Sequence, residues 1–243
     1  MPLRAAAALT LGLAAPIATP LAAQTPVDLE LVLLADSSGS ISNDEIAFQR
    51  AGYARAMTDP RVLAAIASTS TASIAVTYVE WGQFDSQQVV VPWMLIAGPD
   101  DAERFAAAIM APPRLARGRN AIGQALILGR DLIEGNAFDG WRRIIDFSAD
   151  STGNFNGPAI EEGRAAALAA GITINGLAVH CRDCAAGSGY SDDLAAEFEA
   201  RIIGGPGAFV VSAENPAAFA EAVRRKLILE ISGLHGGPAF AGR

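Results

Sequence analysis

Lysine is almost missing from this chain of 243 residues: Lys226 is the single one, and every other basic side chain is arginine. No Lys/Arg-rich run can neutralise a row of phosphates, and the formal net charge is −8, so nucleic acid is excluded as the expected partner. Histidine is nearly as scarce, with only His180 and His235. That leaves little from which to build a serine–histidine–acid hydrolase. Beyond residue 24 no apolar run is long enough to span a bilayer, so no transmembrane span is expected in the mature chain. Cysteine is limited to Cys181 and Cys184, within His-Cys-Arg-Asp-Cys, too few for a disulfide-stapled scaffold.

What is present describes a packed globular protein. Hydrophobic residues make up 51% and charged residues 18%, a balance that buries a core and does not leave the chain disordered. The opening Met-Pro-Leu-Arg, the apolar run from Ala5 to Leu13 and the small residues before Gln24 have the form of a secretory signal peptide over residues 1–23. An exported protein, periplasmic or secreted, is therefore expected. In an oxidising compartment Cys181 and Cys184 would form a local disulfide. A redox pair would instead place the first cysteine at a helix N-terminus, whereas these two follow a strand-like run into a Gly/Ser-rich loop. One domain over residues 27–232 and a frayed tail over residues 233–243 complete the expected organisation.

Within the domain, Asp28 to Ala35 is almost continuously apolar and suits a strand buried on both faces. Ser42-Asn43-Asp44-Glu45 opens a helix with a capping box that should reach Met57. Further strands are expected at residues 72–81, 88–96, 141–148, 172–179 and 208–211. Pro92 suits an edge strand. Helices are expected at 100–110, 121–133, 158–170 (ended by Gly171), 192–202 and 216–231. This alternation predicts an α/β fold, doubly wound, with a mostly parallel central sheet, one antiparallel edge strand and helices on both faces.

Ligands of open α/β sheets bind beyond the carboxyl ends of the strands, where strand order reverses. The first strand leads directly into Asp36-Ser37-Ser38-Gly39-Ser40, in which Asp36, Ser38 and Ser40 alternate and can turn three oxygens toward one point. One carboxylate and two hydroxyls form a hard-oxygen set suited to Mg²⁺, or to Mn²⁺ or Ca²⁺. Asp150 ends a later strand, and Asp146, Ser148 and Asp150 share one face of it by the two-residue period. Asp146, set among Ile144, Ile145 and Phe147, reads as an acceptor bracing the core or as support behind Asp150. Asn154 and Asn156 read as turn formers.

Asp-x-Ser-x-Ser after the first buried strand resembles the first ligand loop of the metal-ion-dependent adhesion site (MIDAS) of von Willebrand factor A (vWA) domains. Residues 117–123, Arg-Gly-Arg-Asn-Ala-Ile-Gly, are similar to that family's second loop, with Asn120 where the family has threonine. Residues 147–151 are similar to the third loop, which carries Asp150. The whole run, with Ile-Gly-Gly-Pro-Gly-Ala-Phe at 203–209, resembles a bacterial group of exported vWA-type proteins known as DUF1194. The resemblance implies a metal-dependent protein-binding module and no enzymatic activity. Its ligands would be Asp36, Ser38, Ser40, Asn120 and Asp150, its partner a protein offering an Asp or Glu carboxylate, and Arg117 and Arg119 would flank the contact.

Two other readings stand beside this one. Asp36-Ser37 after a first strand is similar to the nucleophile loop of SGNH hydrolases, although neither histidine is placed to serve as base. The other is a metal-free periplasmic scaffold whose helices make the contacts.

Overall fold

A computed structural model describes residues 23–180 and 193–233. The expected signal peptide, the Cys181–Cys184 pair and most of the C-terminal tail lie outside the described residues. The strands are β1 (Thr25–Asp36), β2 (Ile74–Trp81), β3 (Gln87–Ile96), β4 (Phe138–Ala149), β5 (Thr173–Val179) and β6 (Val210–Ala213). The helices are α1 (Asn43–Met57), α2 (Pro60–Ala67), α3 (Pro99–Met110), α4 (Ile122–Glu134), α5 (Ile160–Ala169), α6 (Leu194–Arg201) and α7 (Pro216–Ser232). They form one six-stranded sheet in the order β3-β2-β1-β4-β5-β6, in which only β3 runs antiparallel.

The period of two along β1 divides the core. Leu29, Leu31 and Leu33 face one layer with Tyr53 and Met57 of α1, Phe105 of α3 and Leu227 of α7. Val32 and Leu34 face the other, with Leu126 of α4, Ile160 of α5 and Phe198 of α6. Being covered on both sides is why β1 and β2 read as apolar runs and not as alternating strands. Pro92 lies on the edge strand, where its missing N–H costs no ladder bond, and the β2–β3 register shifts beside it. Ser42 caps α1 with the full reciprocal box to Glu45, and Gly171 follows α5 with φ of 71°.

Helix α2 was not among the expected elements, although its signals are local. Asp59 accepts from the Arg61 N–H as N-cap, and Pro60 occupies the first turn. Three strands begin later than expected, β2 at Ile74, β5 at Thr173 and β6 at Val210, and three begin earlier, β1 at Thr25, β3 at Gln87 and β4 at Phe138. No helix among the described residues is long and apolar enough to cross a membrane.

The lone lysine lies in the core. Lys226 of α7 is fully buried and pairs with Asp146 of β4 at 2.8 Å and with Glu230 at 2.6 Å. Asn175 of β5 donates to Glu230 at 2.9 Å and accepts from the Phe209 N–H. Asp146 is therefore a brace between sheet and helix. Burial pushes its carboxyl up to about 7 against the pull of Lys226, with the neighbouring Glu230 adding to the rise.

Elsewhere two helices meet with no room for a side chain. A Cβ on Gly163 of α5 would stand 2.3 Å from the Gly123 carbonyl of α4. Gly163→Ala should cost about 1–3 kcal/mol by overpacking, read as a lower urea midpoint at unchanged slope. Lys226→Met leaves two buried acids without their cation and should cost about 3–5 kcal/mol near neutral pH. A carboxyl with a raised folded pKa contributes its full stability in acid and loses it as pH climbs through about 7. Without Lys226 that pKa rises further, so the variant goes on losing stability above pH 7 where the wild type levels off. The deficit of Lys226→Met should therefore widen toward pH 8; urea titrations from pH 5 to pH 8 would refute the pairing if it stayed constant.

Candidate metal centre

Strand order reverses between β1 and β4, which are neighbours and parallel, with Ala35 opposite Ser148. That register brings Asp36, the last residue of β1, and Asp150, just after β4, to the same carboxyl-end crevice, where doubly wound sheets bind ligands. Both carboxylates line one cavity. Asp36 is 1% exposed; its Oδ1 accepts from the Ser38 N–H at 2.7 Å, and its Oδ2 is buried with no donor. Neither oxygen of Asp150 has a partner at hydrogen-bonding geometry, although the hydroxyls of Ser40 and Ser151 are near enough to ease its charge.

Burial, reinforced by the Asp150 charge, pushes Asp36 up to about 8. Burial raises Asp150 as well. Ser38 and Ser40 meet hydroxyl to hydroxyl at 3.2 Å beside them. Among the described residues no three His, Cys, Asp or Glu side chains converge. The protein's oxygen set is therefore two acids with hydroxyls, which fits a hard cation that keeps part of its hydration shell. Asn120 is buried at this rim, and its amide nitrogen donates to Ser151 at 3.3 Å, next to Asp150.

Arg114 holds the first loop in place. Its guanidinium donates to the carbonyls of Ser37 at 2.7 Å, Ser38 at 2.8 Å and Ile41 at 2.8 Å, and to the Ser37 hydroxyl at 3.0 Å. No spacing in the sequence marks Arg114 as the arginine that turns inward. Further bonds join the loops: Gly39 N–H to Gly118, Gln83 N–H to Arg117, and Asn156 to both Phe84 and Arg119. At Gly82 a Cβ would stand 2.3 Å from the Arg117 carbonyl, so only glycine permits this contact. Asn154 accepts from the Gly123 N–H and donates to Pro158. Both asparagines thus shape loops.

Ser37 is fully buried and donates to the Ala116 carbonyl at 3.0 Å, an arrangement that keeps its hydroxyl from any substrate. Arg117 and Arg119 are exposed at the rim. The Arg119 guanidinium lies 4.0 Å above the ring of Phe155, which is 55% exposed, and Phe84 is 51% exposed beside it. These two aromatics lie in loops without periodicity, so sequence pattern gave no sign of them.

Mutual repulsion makes a stability prediction. The folded pKa of Asp36 is raised, so its contribution is complete in acid and is lost as pH rises toward about 8. With chelator present, Asp36→Asn should melt above the wild type at pH 8, by ~2–4 °C for each kcal/mol of relief. The gap should shrink toward pH 5. A variant that melts lower across the whole range in calorimetry contradicts the crowding of these carboxylates.

The comparisons agree with this architecture. The vWA-type domain of the type V pili tip protein of Porphyromonas gingivalis superposes with a TM-score of 0.55 at 12% identity, over 88% of this chain and 98% of that one. Proximal thread matrix protein 1 from the mussel byssus, with a zinc-occupied MIDAS motif, gives 0.59 at 17% identity, over 86% of this chain and 49% of that one. A von Willebrand factor type A protein from Catenulispora acidiphila gives 0.58 at 15%, over 84% and 43%. The chain thus spans about half or less of the mussel and Catenulispora chains. Among curated proteins none matches the sequence. The family model described as a protein of unknown function, DUF1194, matches residues 26–235, so the chain belongs to the DUF1194 family and has the vWA fold.

Proposed function

We propose that this chain is an exported, non-enzymatic protein-binding module that captures a partner carboxylate through a divalent cation held by Asp36, Ser38, Ser40, Asp150 and Asn120. One observation carries the reading: two buried carboxylates at the switch point of the sheet leave three oxygens without a donor. Buried unpaired charge is costly, and a cation relieves it at both carboxylates together. When bound, Mg²⁺, Mn²⁺ or Ca²⁺ supplies positive charge and a coordination position that an Asp or Glu of the partner can fill.

The protein's own side chains do the positioning. Arg114 fixes the loop of Asp36, Ser38 and Ser40 through its carbonyls, Asn120 braces Ser151 beside Asp150, and Arg117 and Arg119 offer guanidinium groups to an acidic partner. Arginine and exposed aromatics at such a rim are the residue types that dominate binding energy at protein interfaces. The zinc-occupied MIDAS motif of the mussel protein and the pilus-tip role of the Porphyromonas protein support an interaction module. The signal-peptide pattern of residues 1–23 supports export.

Isothermal titration tests the reading. Mg²⁺ and Mn²⁺ should bind the wild type at one site, and Asp36→Ala should abolish the heat. Arg114→Leu should weaken affinity by about 10–100-fold, as removal of a group orienting a ligand loop does, with circular dichroism unchanged. No heat from the wild type would leave the metal-free scaffold as the better description.

A further inference from the structure

The crevice extends past the two carboxylates into an apolar cavity of about 290 Å³. Asp36 and Asp150 form part of its wall, and Ile41, Phe48, Val179 and Phe219 form the rest of the surface that matters here. Phe48 is 41% exposed on α1, whereas Tyr53 and Met57 of the same helix are buried in the core. Its ring lies 6.1 Å from that of Phe219 at the start of α7, so two aromatic side chains frame an opening that nothing in the described residues fills.

We infer that this cavity is a specificity pocket for a bulky apolar side chain adjacent to the partner's carboxylate, so that the ligand is a leucine- or phenylalanine-flanked acidic residue. The inference rests on the metal-dependent reading above and names its ligand more closely. Three observations select this occupant. The cavity shares Asp36 and Asp150 with the cation site, which puts the pocket within reach of a side chain next to a carboxylate anchored there. Its volume is roughly ten times the ~30 Å³ share of one liquid water, and expelling such water from an apolar wall favours a large aliphatic or aromatic group. Asp44 and Glu45 also line the cavity, putting acidic side chains on its α1 side, whereas Arg117 and Arg119 lie on the loop after α3. The site is therefore polarised, with the apolar flank of the ligand toward α1 and α7 and any further acidic residue toward the arginines.

Amide chemical-shift titrations of ¹⁵N-labelled protein test this with four capped tetrapeptides: Gly-Glu-Leu-Gly, Gly-Leu-Glu-Gly, Gly-Glu-Gly-Gly and Gly-Gln-Leu-Gly. In Mg²⁺ at least one Glu/Leu peptide should bind about tenfold tighter than Gly-Glu-Gly-Gly, ~1.4 kcal/mol. It should shift the amides of Ile41, Phe48 and Val179, and Phe48→Ser should level the two affinities. If Mg²⁺ shifts the Asp36 and Ser38 amides but neither Glu/Leu peptide binds tighter than the glycine control, the pocket inference alone falls. It falls equally if Gly-Gln-Leu-Gly binds as well as Gly-Glu-Leu-Gly, since the pocket then works apart from any carboxylate. If Mg²⁺ itself shifts nothing, the metal-dependent function fails and takes this inference with it.

Discussion

Asp36 and Asp150 lie at the ends of adjacent parallel strands, and three of their four carboxylate oxygens are buried without a hydrogen-bond donor. A carboxylate taken out of water must be paired, hydrogen-bonded or protonated. Here burial and mutual repulsion hold Asp36 near 8 while only one of its oxygens has a donor. Arg114 eases the Asp36 charge without bonding to it, and directs its donors to the carbonyls of Ser37, Ser38 and Ile41, stiffening the loop.

The same strand shows the alternative. Four residues before Asp150 and on the same face, Asp146 meets the chain's single lysine and is closed off between β4 and α7. Asp146 within β4 thus holds a helix to the sheet, and Asp150 just after the strand lies at the rim. Their difference lies in the layer above them: α7 covers Asp146, and the crevice with its apolar cavity covers Asp150. Placing the lone lysine at the closed position also keeps a mobile ammonium away from the open one.

Precision at the rim comes from loops tied to each other more than from the sheet. The segments after β1, β2, α3 and β4 exchange backbone bonds, with Gly82 under the Arg117 carbonyl and Asn156 bridging Phe84 to Arg119. Loops cross-braced in this way can hold oxygens at fixed separations, as a cation with preferred geometry needs. They also keep Phe155 and Arg119 stacked at the surface, where a partner would meet them without first ordering them.

Local chemistry in the sequence was enough to determine the elements and the first acidic loop. The apolar run of β1, the Ser42–Glu45 box, the edge position of Pro92 and the stop at Gly171 each follow from interactions within a few residues. The helix α2 is legible too, in Asp59-Pro60. Tertiary structure alone decided which arginine turns inward, where the one lysine goes, that Asn120 leans on Ser151, and that Phe48 and Phe219 frame a cavity beside the acids. Those outcomes join residues tens of positions apart. Their energies depend on burial and on neighbours brought by the sheet order, quantities that no window of sequence contains.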